Sequence, residues 1–262
     1  MIAQIPKPAR KLVAAGTLMA SSLCLAGCIN FTTDFSGVPL DELDTSGAAP
    51  DEIALVGPDN IVLTVGETLD IQIEGDSEAQ EKILFRLEGD SLAIGRDGDL
   101  MGTNTRATVR VTMPAPSEVS LAGSGDLNAE TLADKAEISM AGSGKVTIGS
   151  LASDELAISS AGSGTVSGSG NVRSLEISIA GSGDIEFAEV TADDVDISIA
   201  GSGDIRFASD GTVDSSILGS GNVTVTGSAT CETSAVGSGK VTCTPATRAA
   251  KAVDTEEAAT TE

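Results

Sequence analysis

Gly-Ser-Gly recurs at nearly even spacing at seven places in this 262-residue chain, beginning at Gly123, Gly142, Gly162, Gly181, Gly201, Gly219 and Gly237. The steps between copies are 19, 20, 19, 20, 18 and 18 residues. A fixed period of this length means that one small unit is stacked many times. Around each copy apolar and polar residues alternate, as in Val195, Ile197 and Ile199 before Gly201 and Ile205 and Phe207 after it. A period of two is the strand signal. Glycine takes positive φ without steric cost, so each Gly-Ser-Gly reads as a tight corner between two short strands.

Two architectures could use such a unit. A hairpin meander would place successive corners at alternate ends of a sheet. A solenoid would place equivalent residues of successive coils directly above one another, ~4.8 Å apart, and so predicts ladders of like residues. Three residues before the corners stand Ser120, Ser139, Ser159, Ser178, Ser198, Ser216 and Ser234. Five before them the residue is acidic in six of the seven copies, among them Glu176, Asp196 and Asp214, which favours stacking. Val119, Ile138, Ile158, Ile177 and Ile197 form an inward aliphatic column. The expected fold is therefore all-β: a single-stranded, right-handed parallel β-helix with about seven regular coils after an irregular β N-terminal part.

The first 27 residues read as a lipoprotein signal peptide. Lys7, Arg10 and Lys11 precede an apolar stretch, and Leu25-Ala26-Gly27-Cys28 looks like a bacterial lipobox. Cleavage before Cys28 would leave a lipidated N-terminus in the cell envelope. Ile29 stands where an Asp would resemble an inner-membrane retention signal, so the outer membrane is the expected address. Residues 28–50 read as a tether, 51–244 as the β-helical domain and 245–262 as an Ala/Thr/Glu-rich disordered tail.

Cys231 and Cys243 remain once Cys24 is discarded and Cys28 is lipidated. They lie on inward columns six residues either side of Gly237. An exported chain meets an oxidising compartment, so a disulfide sealing the last coil is expected, with two buried thiols as the alternative. Two Cys and no His leave little for a metal centre of the zinc type.

The net charge is −24, and removing residues 1–27 takes away three basic residues and no acidic one. Such an acidic chain does not attract nucleic acid. The early runs Asn60–Val65, Thr68–Ile73, Ile83–Leu87, Ser91–Ile94 and Ala107–Thr112 read as strands of irregular coils or of a sheet capping the solenoid. In one copy Gly168 replaces the inward apolar residue and suggests a bulge or a thinner coil.

Taken together, the export signal, the turn Gly89-Asp90-Ser91-Leu92-Ala93-Ile94, the junction Val111-Thr112-Met113-Pro114 and the seven glycine corners resemble the bacterial head GIN domain family, labelled "putative auto-transporter adhesin". The resemblance spans roughly residues 52–244. It implies a right-handed parallel β-helix on a cell-surface or periplasmic lipoprotein, and carries over no site residue.

Two functional classes follow. The first is a binding or structural module whose partners are the membrane, through the lipid, and a cell-surface glycan or envelope protein. Its acidic column (Glu176, Asp196, Asp214) and the stacked pair Asp184 and Asp204 are the candidate cation-binding residues, with Ca²⁺ the only ligand considered and no other cofactor. The simpler reading of the same column is solubility and protection from edge-to-edge pairing. The second class is a polysaccharide-active β-helix using paired carboxylates. The absence of Trp, Tyr and His removes aromatic sugar platforms and the commonest general base, so a non-enzymatic role is expected.

Overall fold

The computed structural model describes residues 35–97 and 105–244. The N-terminal part comprises β1 (Glu52–Gly57), β2 (Asn60–Val65), β3 (Asp70–Gly75), a short α1 (Ser77–Gln80), β4 (Ile83–Glu88), β5 (Ser91–Arg96) and β6 (Ala107–Met113). The coils follow as β7 (Glu118–Gly123), β8 (Asp126–Ala129), β9 (Lys135–Gly142), β10 (Lys145–Gly162), β11 (Thr165–Gly181), β12 (Asp184–Gly201), β13 (Asp204–Ala208), β14 (Thr212–Gly219), β15 (Asn222–Thr226), β16 (Thr230–Gly237) and β17 (Lys240–Thr244). From β7 onward every pairing is parallel, and the first glycines of the seven corners pair with one another in unbroken register. This is the ladder expected of a parallel β-solenoid rather than a meander.

The corners show why glycine recurs. The first glycine of each has φ between 128° and 145°. That backbone brings the next amide onto the coil below: the Ser202 N–H donates to the Gly181 carbonyl at 2.8 Å, and the Ser220 N–H to that of Gly201 at 2.8 Å. An eighth corner precedes the seven. Gly57, followed by Pro58 and Asp59, pairs with Gly123 and carries φ 131°.

Alternation sends one set of side chains into a dry interior. Val119, Ile138, Ile158, Ile177 and Ile197 stack in register and are buried. Ser215 continues the column, also buried, with its hydroxyl donating to the Glu232 carbonyl. The irregular copy at Gly168 is a register shift: two residues after Ile148 are opposed by one after Gly168. A Cβ on Gly168 would stand 3.3 Å from both the Leu151 side chain and the Phe187 ring. Large neighbours from adjacent coils therefore fill the space of the missing side chain, as close packing requires.

The N-terminal strands are stacked out of sequence order. β1 pairs with β7 on one side and β5 on the other; β2 likewise lies between β8 and β6. The first strand, β1, thus lies in what is spatially the second coil, and β5 and β6 supply the strands outside it. β4 runs antiparallel on β5, and β3 antiparallel on β6. Both expectations for this region hold together: irregular coils, and a sheet that caps them.

A buried ion pair fastens this arrangement. Asp59, at the first corner, and Arg96, at the end of β5, are both essentially inaccessible. The Arg96 guanidinium makes a two-pronged contact with the Asp59 carboxylate and also donates to the Thr105 carbonyl at 2.8 Å. Asp59 further accepts from the Ala107 N–H at 2.8 Å. Removing either partner would strand a buried charge, a loss of about 3–5 kcal/mol.

Residues 35–43, within the expected tether, lie on the cap. Val38 and Phe85 exchange two backbone hydrogen bonds of 2.8 Å. Phe35 packs over Gly95, where any Cβ would clash with its ring, and the Arg86 guanidinium lies 5.3 Å from the ring centre. Leu40 and Leu43 rest against the core.

At the other end Cys231 and Cys243 form a disulfide with their Cα atoms 6.8 Å apart. Cys231 stacks on Val213 and Cys243 on Val225, the columns expected. The bond ties two walls of the last coil but does not close its mouth. Among the described residues no coil lies beyond it, so inward-facing Thr233 and Ala235 are exposed. Cys28, the signal segment and the tail from residue 245 lie outside the described residues.

Candidate functional site: the acid and serine face

One wall of the solenoid is built from the strand segments that lead into the corners. Their outward residues form three columns. Nearest the corner stand Ala122, Ala141, Ala161, Ala180 and Ala200, then Leu218 and Val236. The serines form the middle column. Glu118, Glu137, Ala157, Glu176, Asp196, Asp214 and Glu232 form the third, and Glu52 extends it onto β1.

Two of the serines bond within their own strands. Ser120 and Ser139 donate to the carboxylates of Glu118 and Glu137, at 3.1 and 3.3 Å. This short route is open because residues two apart on a strand share a face. Small side chains leave a shallow groove of about 440 Å³ beside Glu176, Asp196, Asp214 and Glu232 and the serines paired with them. A second groove of about 380 Å³, lined by Lys135, Glu137 and Glu155, meets the first at Glu176.

Charge crowding is felt where the column enters the cap. The Glu52 carboxyl is held above its ordinary value, by burial first and then by the negative charges of Glu118, Asp51 and Asp90; a hydrogen bond from Ser91 opposes the shift.

The five candidate cation residues divide between two walls. Glu176, Asp196 and Asp214 lie together along the groove. Asp184 and Asp204 stand on the adjoining wall, after the corner, and serve the main chain. Asp184 accepts from the Asp204 N–H at 2.9 Å, and Asp204 accepts from the N–H and side-chain amide of Asn222 at 3.2 and 2.9 Å. Among the described residues no group of three or more acidic or cysteine side chains is arranged to hold a metal ion. The Asp59–Arg96 clamp escaped the sequence reading, since a lone Arg after Gly95 resembles any solvated charge.

The family model described as "Putative auto-transporter adhesin, head GIN domain" matches residues 49–229. The chain belongs to this family. The head GIN fold is also seen in crystal structures. A protein described as a "putative adhesin" from Bacteroides fragilis superposes with a TM-score of 0.67 at 26% identity, over 75% of this chain and 92% of the other. A "putative adhesin" from Parabacteroides distasonis gives 0.61 at 17%, over 76% and 93%. A "Putative lipid binding protein" from Parabacteroides distasonis gives 0.59 at 22%, over 76% and 93%. Among curated proteins no match is found.

Proposed function

We propose that this head GIN chain is an adhesin-type lipoprotein of the outer membrane, held by a lipid on Cys28, that binds a polar polymer of the cell surface or envelope through its acid and serine face. The observation that carries this reading is the face itself. Outward columns of acid, serine and alanine run in register from β7 to β16 on a rigid parallel sheet, and a groove follows them. Repetition at ~4.8 Å suits a repetitive partner such as a glycan, which can be gripped at many weak points.

Other readings fit less well. Acyl chains would meet carboxylates and hydroxyls in this groove, an unfavourable exchange for apolar surface. For a carboxylate pair to do acid–base work on sugars, both groups must be free to move protons. Asp184 and Asp204 are instead engaged by backbone amides of the next coil. Calcium would enter as a bridge between the acidic column and an anionic polymer, since carboxylates are its preferred ligands.

The test is capture of envelope fractions by the full mature protein, with calcium and with a chelator. Retention of a polysaccharide or envelope protein supports the reading, and no retention in either condition sinks it. Replacing Cys28 with Ala should move the protein from the membrane to the soluble fraction.

A further inference from the structure

We propose that residues 35–43 are a strap that fixes the capped end of the solenoid close to the lipid surface, so that the coils project outward with the corner near Gly237 farthest from the membrane. The inference rests on the Cys28 lipid proposed above. The observation behind it is that this segment is seated. Gly95 supplies a socket for the Phe35 ring, Arg86 covers the ring, and Val38 adds a strand-like bridge to Phe85. Leu40 and Leu43 continue the contact.

Chain reach gives the strap its consequence. A free segment from residue 28 to residue 50 could extend roughly 75 Å, enough for the domain to turn any face to the membrane. With Phe35 seated, only seven residue-to-residue steps separate the lipidated position from the cap, a reach of at most about 25 Å. From β4 to β14 the wall counts eight strand spacings, or ~38 Å. The cap is then confined near the lipid while the far end has ~38 Å of wall to extend away from it, which in the proposed orientation lifts the groove beside Asp196 and Asp214 clear of the lipid surface for an incoming polymer.

The experiment uses the full lipoprotein in phosphatidylethanolamine/phosphatidylglycerol vesicles carrying a trace of rhodamine-headgroup lipid. A donor dye is placed on Glu88→Cys in the cap or on Ser220→Cys in a distal corner, both exposed positions. Energy transfer to the membrane should be at least about twofold greater from position 88 than from position 220. Releasing the strap with Phe35→Ala and Val38→Pro together should bring the ratio towards one. A ratio near one with the strap intact overturns the proposal, as does a ratio that ignores its release. Protein that carries no lipid by mass spectrometry and does not float with vesicles overturns the anchor reading instead, and this one with it. Lipidated, floating protein with a ratio near one overturns the strap alone.

Discussion

Gly201→Ala is the sharpest perturbation of the corner ladder. Gly201 has φ 145°, where L side chains are strained. A Cβ there would stand 2.8 Å from the Gly181 carbonyl carbon and nearer still to its oxygen. Bringing the two carbons to a comfortable ~3.5 Å would take about 0.7 Å, and the nearer oxygen demands more, so the coils must part by at least that much at this edge. The obstacle is the Gly181 backbone and cannot rotate away. Parting the coils weakens the 2.8 Å bond from the Ser202 N–H to Gly181. Backbone strain of about 1–3 kcal/mol and a lost hydrogen bond of about 1 kcal/mol give a cost near 3 kcal/mol. Because coils interact chiefly with their neighbours, the loss should be local. Hydrogen exchange of the Ser202 amide should quicken by about a hundredfold, and the urea midpoint should fall. Ser202→Ala, at the exposed tip of the same corner, should change stability by no more than about 0.5 kcal/mol. Equal effects from the two substitutions would refute the stacked-corner reasoning.

Three further outcomes are expected. Ile197→Asp places a charge in the dry column and should cost several kcal/mol in a chemical melt, whereas the outward Ser198→Asp should be mild. The Cys231–Cys243 bond spans 12 positions and constrains the unfolded chain by about 2.8 kcal/mol in the entropic model; its reduction should speed exchange across residues 230–244 and leave residues 175–201 protected. Glu52 holds its proton more tightly folded than unfolded, so its contribution to stability falls as pH rises from the ordinary glutamate value through the raised one. Glu52→Gln should therefore melt higher than the parent at pH 7, and the advantage should vanish below about pH 4.3.

The coils were legible in the sequence because every layer obeys the same local rule. Val195, Ile197 and Ile199 alternate inward, Gly201 turns, and the next copy repeats the pattern one coil on. The disulfide was legible for the same reason, since Cys231 and Cys243 fall on columns already defined by Val213 and Val225. The N-terminal strands were visible as runs, but their stacking was not. Nothing local to Ser91–Arg96 records that it pairs outside Glu52–Gly57, because that pairing joins segments distant in sequence. The corner at Gly57 lacks the Gly-Ser-Gly signature and was missed with its Asp59 partner. The strap was obscured by composition: Phe35, Val38, Leu40 and Leu43 are too sparse to show a period. For the face, the columns were foreseen, but the groove and the engagement of Asp184 and Asp204 depend on side-chain geometry.

The most direct test of the account is whether binding belongs to the acid and serine face. Asp196→Lys with Asp214→Lys reverses charge along the groove at exposed positions. Glu186→Lys with Arg206→Glu alters a different wall at exposed, register-paired positions. Retention of envelope polymer on each immobilised protein is then measured at matched folded concentration. The account predicts at least about a tenfold loss for the groove variant and near-parent retention for the other; equal retention by the two would contradict it.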